Sequence, residues 1–342
     1  MLAVASLALS AAAQAQSLWQ GATPTYETNT NWLPPTTPPS PPIGPGQLAV
    51  FDTGPASTTI NVTGSSIAPD SWTFNAGAQS YTISGGAVNF SLAGPLGGII
   101  DNANVGQTIS IANNIGESVA GVQVQLLGAS TLILSGTNSY TGGTMISVGT
   151  LQVTNNSSVG TGTVTLQDGL FQADGSGDLT FSNNFRINNT AIGSAIDANG
   201  IILTIAGKIT DGVGAGQLTV LDNAGGGAVV LTNTNTYTGG TTICSCATLQ
   251  LGDATHTASI VGNVTNFGAF NIVNANTGGI TAITNDLEGF ALFAGLTTFL
   301  NATSAGTMTI TNRNGGETDF GLLGGTDTAS AGNAVIVNRL GG

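Results

Sequence analysis

The 342-residue chain is almost without cations: Lys208, Arg186, Arg313 and Arg339 stand against 17 acidic residues, giving a formal net charge of −13. Four scattered positive charges cannot build the basic face that neutralises phosphates, so no nucleic-acid partner is expected. Histidine is scarcer still, and a lone His256 excludes a His-ligated zinc centre. Two cysteines, Cys244 and Cys246, are too few and too close for the frameworks that staple small secreted domains. On an extended strand they would point to one face near the upper limit of bridging distance. Two small apolar residues facing a core are therefore favoured over a disulfide. Charged residues total 6%, so the chain is poor in the Glu and Lys that helices use. Proline is rare outside one run: seven of the 11 fall in residues 34–46 (PPTTPPSPPIGPG), which reads as a polyproline-like loop.

What the chain has in abundance is Gly (51), Thr (49) and Asn (31), all poor helix formers. Hydrophobic residues at 41%, with so little charge, argue for an ordered chain. Residues 1–16 (MLAVASLALSAAAQAQ) join an apolar stretch to a small-x-small site at Ala13-Gln14-Ala15, the pattern of a secretory signal peptide. No Lys or Arg precedes it, so the signal is expected to begin upstream. Residues 17–125 are expected to form a β-rich N-terminal region around the proline loop, with residues 17–60 blunting one end of an array. Residues 126–342 are expected to be the array itself.

Internal repeats decide the architecture. Residues 132–146 read LILSGTNSYTGGTMI and residues 229–243 read VVLTNTNTYTGGTTI, an offset of 97 without a gap. Both continue into Thr-Leu-Gln, the second copy after one inserted residue. A second repeat, at an offset of 26, relates Ser304-Ala305-Gly306 and Thr309 to Arg313 with Ser330-Ala331-Gly332 and Val335 to Arg339. Short apolar strands about 10 residues apart, punctuated by Asn, Gly and Asp, fill the interval. A sandwich of so many strands would need guarded edges, and one Lys cannot supply them. Stacked coils have edges only at their two ends. The expected fold is all-β, a parallel β-helix of about 22 residues per coil with Val, Ile, Leu and Phe inside and Thr and Ser outside.

Residues 132–153 (LILSGTNSYTGGTMISVGTLQV) resemble the passenger-associated β-strand repeat of bacterial autotransporters, and residues 229–251 resemble it too. Asn31-Trp32, Ala49-Val50-Phe51-Asp52 and residues 71–77 (SWTFNAG) are similar to the first half of such passengers. The resemblance implies a right-handed parallel β-helix carried through the periplasm and outer membrane of a Gram-negative bacterium, then displayed or released at the surface. It implies a structural or adhesin-like role, with host or surface glycans or proteins as partners, and an outer-membrane β-barrel as the export partner. Residues 250–342 lack a series of ~10-residue amphipathic strands, so the chain is expected to be a fragment without that barrel. One departure stands out. Cys244-Ser245-Cys246-Ala247 replaces Ser147-Val148-Gly149 of the first copy, which suggests a bulge or a corner displaced by one residue.

No residue is singled out as catalytic, metal-binding or cofactor-binding, and no enzyme or cofactor is expected. Asp174-Gly175-Ser176-Gly177-Asp178 reads as a solvated turn rather than a calcium loop, and Asp211-Gly212 and Asp222-Asn223 read as turns too. His256, with Asp253 nearby, lacks a recognisable nucleophile motif. Tyr140 and Tyr237, at equivalent repeat positions, are expected to pack over their Gly-Gly corners; the alternative is an exposed aromatic track for sugars. Trp19, Trp32 and Trp72 are expected in the core or cap. The alternatives in function are a secreted β-helical polysaccharide lyase or hydrolase, and a sugar-binding adhesion module.

Overall fold

A computed structural model describes residues 15–33, 40–189, 193–288, 294–321 and 327–339. The described chain is a β-solenoid in which nearly every strand pairs in parallel with the strand one coil earlier and one coil later. The first sheet has 10 strands, from Ala15–Trp19 to Ile209–Asp211. A second, of 14, runs from Thr59–Ile67 to Val335–Asn338, and a third, of seven, from Leu179–Phe181 to Glu317–Phe320. The second sheet therefore spans almost the whole length, while the first hands over to the third midway. About a dozen coil-to-coil steps at ~4.8 Å make a rod of roughly 60 Å. Among the described residues, helix is confined to the 3-10 turns Asn29–Asn31 and Thr277–Gly279.

Coil length straddles the expected 22 residues. In the second sheet, Thr131 pairs with Thr150 and Thr150 with Leu170, steps of 19 and 20; Leu170 then pairs with Ala195, a step of 25. The longer coil is where the third sheet begins, because an added face needs added chain. Along each strand side chains alternate, as in Thr131–Leu134, where Leu132 and Leu134 are buried and Thr131 and Ile133 are half-exposed. Stacking such strands in register stacks like on like. The 26-residue repeat is visible as register: Thr309 pairs with Val335 and Asn312 with Asn338.

At the N-terminal end the pattern breaks. Ala15–Trp19 pairs in parallel with Gln47–Phe51 but antiparallel with Trp32–Leu33, a hairpin-like reversal that covers the first coil. Trp19, Trp32 and Trp72 are buried there with Tyr26, Phe51 and Phe74, as expected for a cap. Each indole N–H finds an acceptor: Trp19 reaches Ser57 O at 2.8 Å, Trp32 reaches Tyr26 O at 2.6 Å and Trp72 reaches the Tyr26 hydroxyl at 3.0 Å. Of the expected signal segment, only Ala15 and Gln16 lie within the described residues, where they pair with Gln47 and Leu48. Of the proline loop, residues 34–39 lie outside the described residues.

The cysteines overturn the expectation of two core-facing thiols. They lie at a corner between Thr241–Ile243 and Thr248–Leu251 rather than on a strand, and the turn closes through Ala247 N–H to Cys244 O at 2.9 Å. Turning the chain brings the Cα atoms to 5.2 Å, an ordinary bridging distance, and the two sulfurs are bonded. Cys244 is half-buried against the core and Cys246 is exposed. The inserted residue is taken up in this corner, and both flanking ladders keep register.

Candidate functional site

The Asn-x-Tyr-Thr-Gly-Gly-Thr turn is present twice, and its Asn, Tyr, Thr and Gly positions each have a task. Asn138 accepts the N–H of Ile115 at 2.8 Å from the coil before and donates to Ser158 O at 2.6 Å in the coil after. Asn235 does the same with Ile209 and Ser259. Tyr140 and Tyr237 fill the core at 0% exposure, and each hydroxyl lies 2.6 Å from the threonine that ends its motif, Thr144 or Thr241. A Cβ at Gly142 would collide with the carbonyl oxygens of Gly121 and Val122, so only glycine lets the coils approach. Gly143 and Gly240 follow at φ of +92° and +87°, backbone that a side chain disfavours. The alternative of an exposed tyrosine track is therefore excluded by burial.

Sequence reasoning missed the partners of Thr141 and Thr238. Glu117, one coil earlier, accepts the Thr141 hydroxyl at 2.7 Å and the Thr141 N–H at 3.1 Å, together with the N–H groups of Gly121 and Val122. Asp211 holds Thr238 in the same way, hydroxyl at 2.7 Å and N–H at 2.9 Å, and also Gly216 N–H. Glu27 repeats the arrangement on Thr63 and Gly64. Partial burial pushes these carboxyls up, but the hydrogen bonds they accept outweigh it and hold all three below the usual range. Asp101 is opposite: burial raises it to about 6, despite bonds from Ala103 N–H and the Ser130 hydroxyl.

These shifts have opposite signs in stability. A lowered carboxyl stabilises the fold above its unfolded pKa, and the contribution fades as pH falls through the folded value. A raised one contributes below its unfolded pKa of about 3.9 and fades as pH rises toward 6. Stability is therefore expected to peak near pH 4–5. Thermal melts across pH 3–8 should show Asp211→Asn and Glu117→Gln flattening the acid limb, and Asp101→Asn flattening the limb between pH 4 and 6. Unchanged limbs in all three variants would refute the assignment.

The outer face of the first sheet carries a polar row beside two adjoining grooves. Met145, Thr165, Arg186 and Thr210 occupy one row across adjacent strands. A groove of about 520 Å³ beside them is lined by Gln123, Thr163, Ser182, Asn184 and Arg186. It continues past Thr165 and Arg186 into another of about 560 Å³, reaching Asn188 and Val213. Among the described residues the ion pairs are His256 with Asp253 and Arg313 with Asp286, so no carboxylate engages Arg186. No aromatic side chain is exposed among the described residues.

The remaining candidates are hydrogen-bonded within turns or to the next coil. Asp174 accepts the Ser176 N–H and hydroxyl within its own turn, and Asp178 accepts Ile202 N–H from the next coil. His256 Nδ1 sits 2.9–3.0 Å from the Asp253 carboxylate and 2.9 Å from the Thr255 hydroxyl, on an exposed corner. The bond from His256, helped by turn N–H groups, holds the Asp253 carboxyl far below its ordinary range. His256 and Asp253 are brought together, but as neighbours in one tight turn.

Comparison with known proteins matches the Passenger-associated-transport-repeat family to residues 127–153 and 221–257, the two turns described above. The Adhesin BmaC autotransporter of Brucella suis biovar 1 (strain 1330) is 30% identical over 204 residues, which is 57% of this chain and 6% of that protein. The chain thus corresponds to a small part of the relative's length. No solved structure matches.

Proposed function

We propose that this chain, being a segment of an autotransporter passenger, works as a rigid, non-catalytic, adhesin-like rod exported to the surface of a Gram-negative cell. The similarity to an adhesin autotransporter over 204 residues carries the reading. The chemistry of the surface supports it. Glu117 and Asp211 are engaged by turn N–H groups, and the one histidine is tied into its own corner. The partners we envisage are glycans or proteins of a host or neighbouring surface, met through the groove around Arg186. With no exposed aromatic among the described residues to stack a sugar face, recognition there rests on hydroxyl, amide and guanidinium hydrogen bonds, which suit a carboxylate-bearing sugar.

The test is binding of the purified chain to glycan arrays and to cultured cells, with turnover of the same polysaccharides assayed for new reducing ends. Binding without turnover is expected, and Arg186→Glu should weaken retention on acidic glycans about tenfold, as loss of one charge-assisted bond plus a like-charge contact requires. Release of sugar products would overturn the reading. Binding indifferent to Arg186→Glu would move the contact face elsewhere on the rod.

A further inference from the structure

The corner at Cys244–Cys246 is chemically unlike the rest of the surface, and nothing in the passenger reading uses it. Neither cysteine belongs to a ladder, and the turn is closed by the Ala247 N–H to Cys244 O bond whether or not the sulfurs are joined. The covalent ring spans a sequence separation of only two, so closing it removes little unfolded-state entropy. The redox state is thus uncoupled from the fold. The two sulfurs also differ. Cys246 is exposed, whereas half-buried Cys244 receives the backbone N–H of Cys246 on its sulfur at 3.3 Å. A hydrogen-bonded sulfur is the better leaving thiolate, and an exposed sulfur is the one an incoming thiolate reaches.

We propose that this corner is a thiol-exchange site that captures a cysteine-bearing partner peptide with cationic flanks. The partner's thiol gives its proton to solvent and its thiolate attacks Cys246 Sγ. A mixed disulfide forms, the Cys244–Cys246 bond breaks, and its electron pair leaves on Cys244 Sγ, which takes a proton from solvent. One disulfide is consumed and one is made, so no external oxidant is needed. Return attack by Cys244 releases the partner. The seat beside Cys246 is a groove of about 530 Å³ with Phe267, Ala269, Ala294 and Leu296 along its floor. Its rim is acidic: Glu317 lines it, and Glu288 accepts the Ser245 N–H at 3.1 Å within the same turn. That charge favours a peptide whose cysteine lies between Lys or Arg residues over an anionic thiol such as glutathione.

The experiment incubates the full chain, under native conditions, with two cysteine peptides matched in length, one flanked by Lys and one by Glu, and follows intact mass. No free thiol is expected before mixing. The Lys-flanked peptide should form a 1:1 adduct on the order of tenfold faster at low salt, and the preference should collapse at high salt. Peptide mapping should place the adduct on Cys246. Cys244→Ser, whose Cys246 is then a free thiol, should take the Lys-flanked peptide only when it is supplied as a disulfide, releasing the other half as a thiol. It should hold the adduct because the resolving thiol is gone. Reduction of the parent chain should leave its melting temperature within about 3 °C. Two free thiols in the native protein, an adduct on Cys244, or equal rates for both peptides would each overturn the proposal. None of these outcomes bears on adhesion through the Arg186 groove.

Discussion

An Asn285→Asp variant is expected to lose about 3–5 kcal/mol of stability at pH 7, the range seen when a buried charge is left uncompensated. Asn285 is 0% exposed in a ladder of stacked asparagines on the second sheet. Its amide N–H groups donate to Asn312 Oδ1 at 2.9 Å, Glu317 O at 2.8 Å and Thr318 Oγ1 at 3.0 Å. Its oxygen accepts from Asn266 at 2.9 Å and Thr297 at 2.7 Å. Aspartate keeps that oxygen and replaces the donor by a second acceptor facing three others. The new carboxyl is pushed up by burial and by those acceptors. Its folded pKa then exceeds the unfolded value of about 3.9, so the variant should approach the parent in acid and fall behind as pH rises. Urea titrations at pH 4 and pH 7 would read this. Asn263→Asp is the control: Asn263 is exposed and uses only its oxygen, accepting from Thr281 at 2.6 Å, so a change under ~0.5 kcal/mol is expected. Equal losses in the two variants would refute the ladder's role.

Trp72→Ala should be comparably severe but local. The indole is fully buried, edge-on to Phe51 and Phe90 at 6.1 and 5.6 Å. Its N–H also ends a chain that runs through the Tyr26 hydroxyl to Pro42 O at 3.0 Å. Truncation removes a large ring and leaves the Tyr26 hydroxyl one partner short, a loss of about 3–5 kcal/mol. Because each coil touches only its neighbours, the loss should appear as fraying of the first coils rather than collapse of the rod. Limited proteolysis should cut the variant first between residues 40 and 101, with fragments containing both repeat turns surviving. Uniform loss of protection along the chain would contradict a cap that acts only on the coils beneath it.

The architecture was legible in the sequence because a solenoid writes its pitch into the chain. The 26-residue offset of the terminal repeat is one coil, which is why Thr309 and Val335 stack as partners on adjacent rungs. The 97-residue offset fixed the equivalence of Tyr140 and Tyr237, and the glycines beside them announced a tight corner. Other features could not be seen that way. Glu117 and Asp211 act on a threonine 24 and 27 residues downstream, and an acid next to a glycine, as in Gly116-Glu117 and Asp211-Gly212, reads locally as an ordinary turn residue. Only coil length, known after folding, reveals the pairing. Strand geometry disfavours a bond between cysteines two apart, but Cys244 and Cys246 lie in a corner, whose turn brings them together. Arg186 gives no local signal at all; its meaning comes from the strands stacked on either side.

The two repeat turns are alike in structure but not in direction. In the first copy Thr144–Ile146 belongs to the 10-stranded sheet; in the second, Thr241–Ile243 belongs to the 14-stranded one. Ninety-seven residues make four coils and one face, so the second copy is turned to a different azimuth around the axis. Two equivalent surface patches therefore cannot lie flat on one plane. Were both turns contact sites, a planar array of receptors would meet them singly, without the gain in avidity that two co-facing sites would bring. A fibrous mesh around the rod would then engage both directions at once, so valency would depend on the shape of the partner.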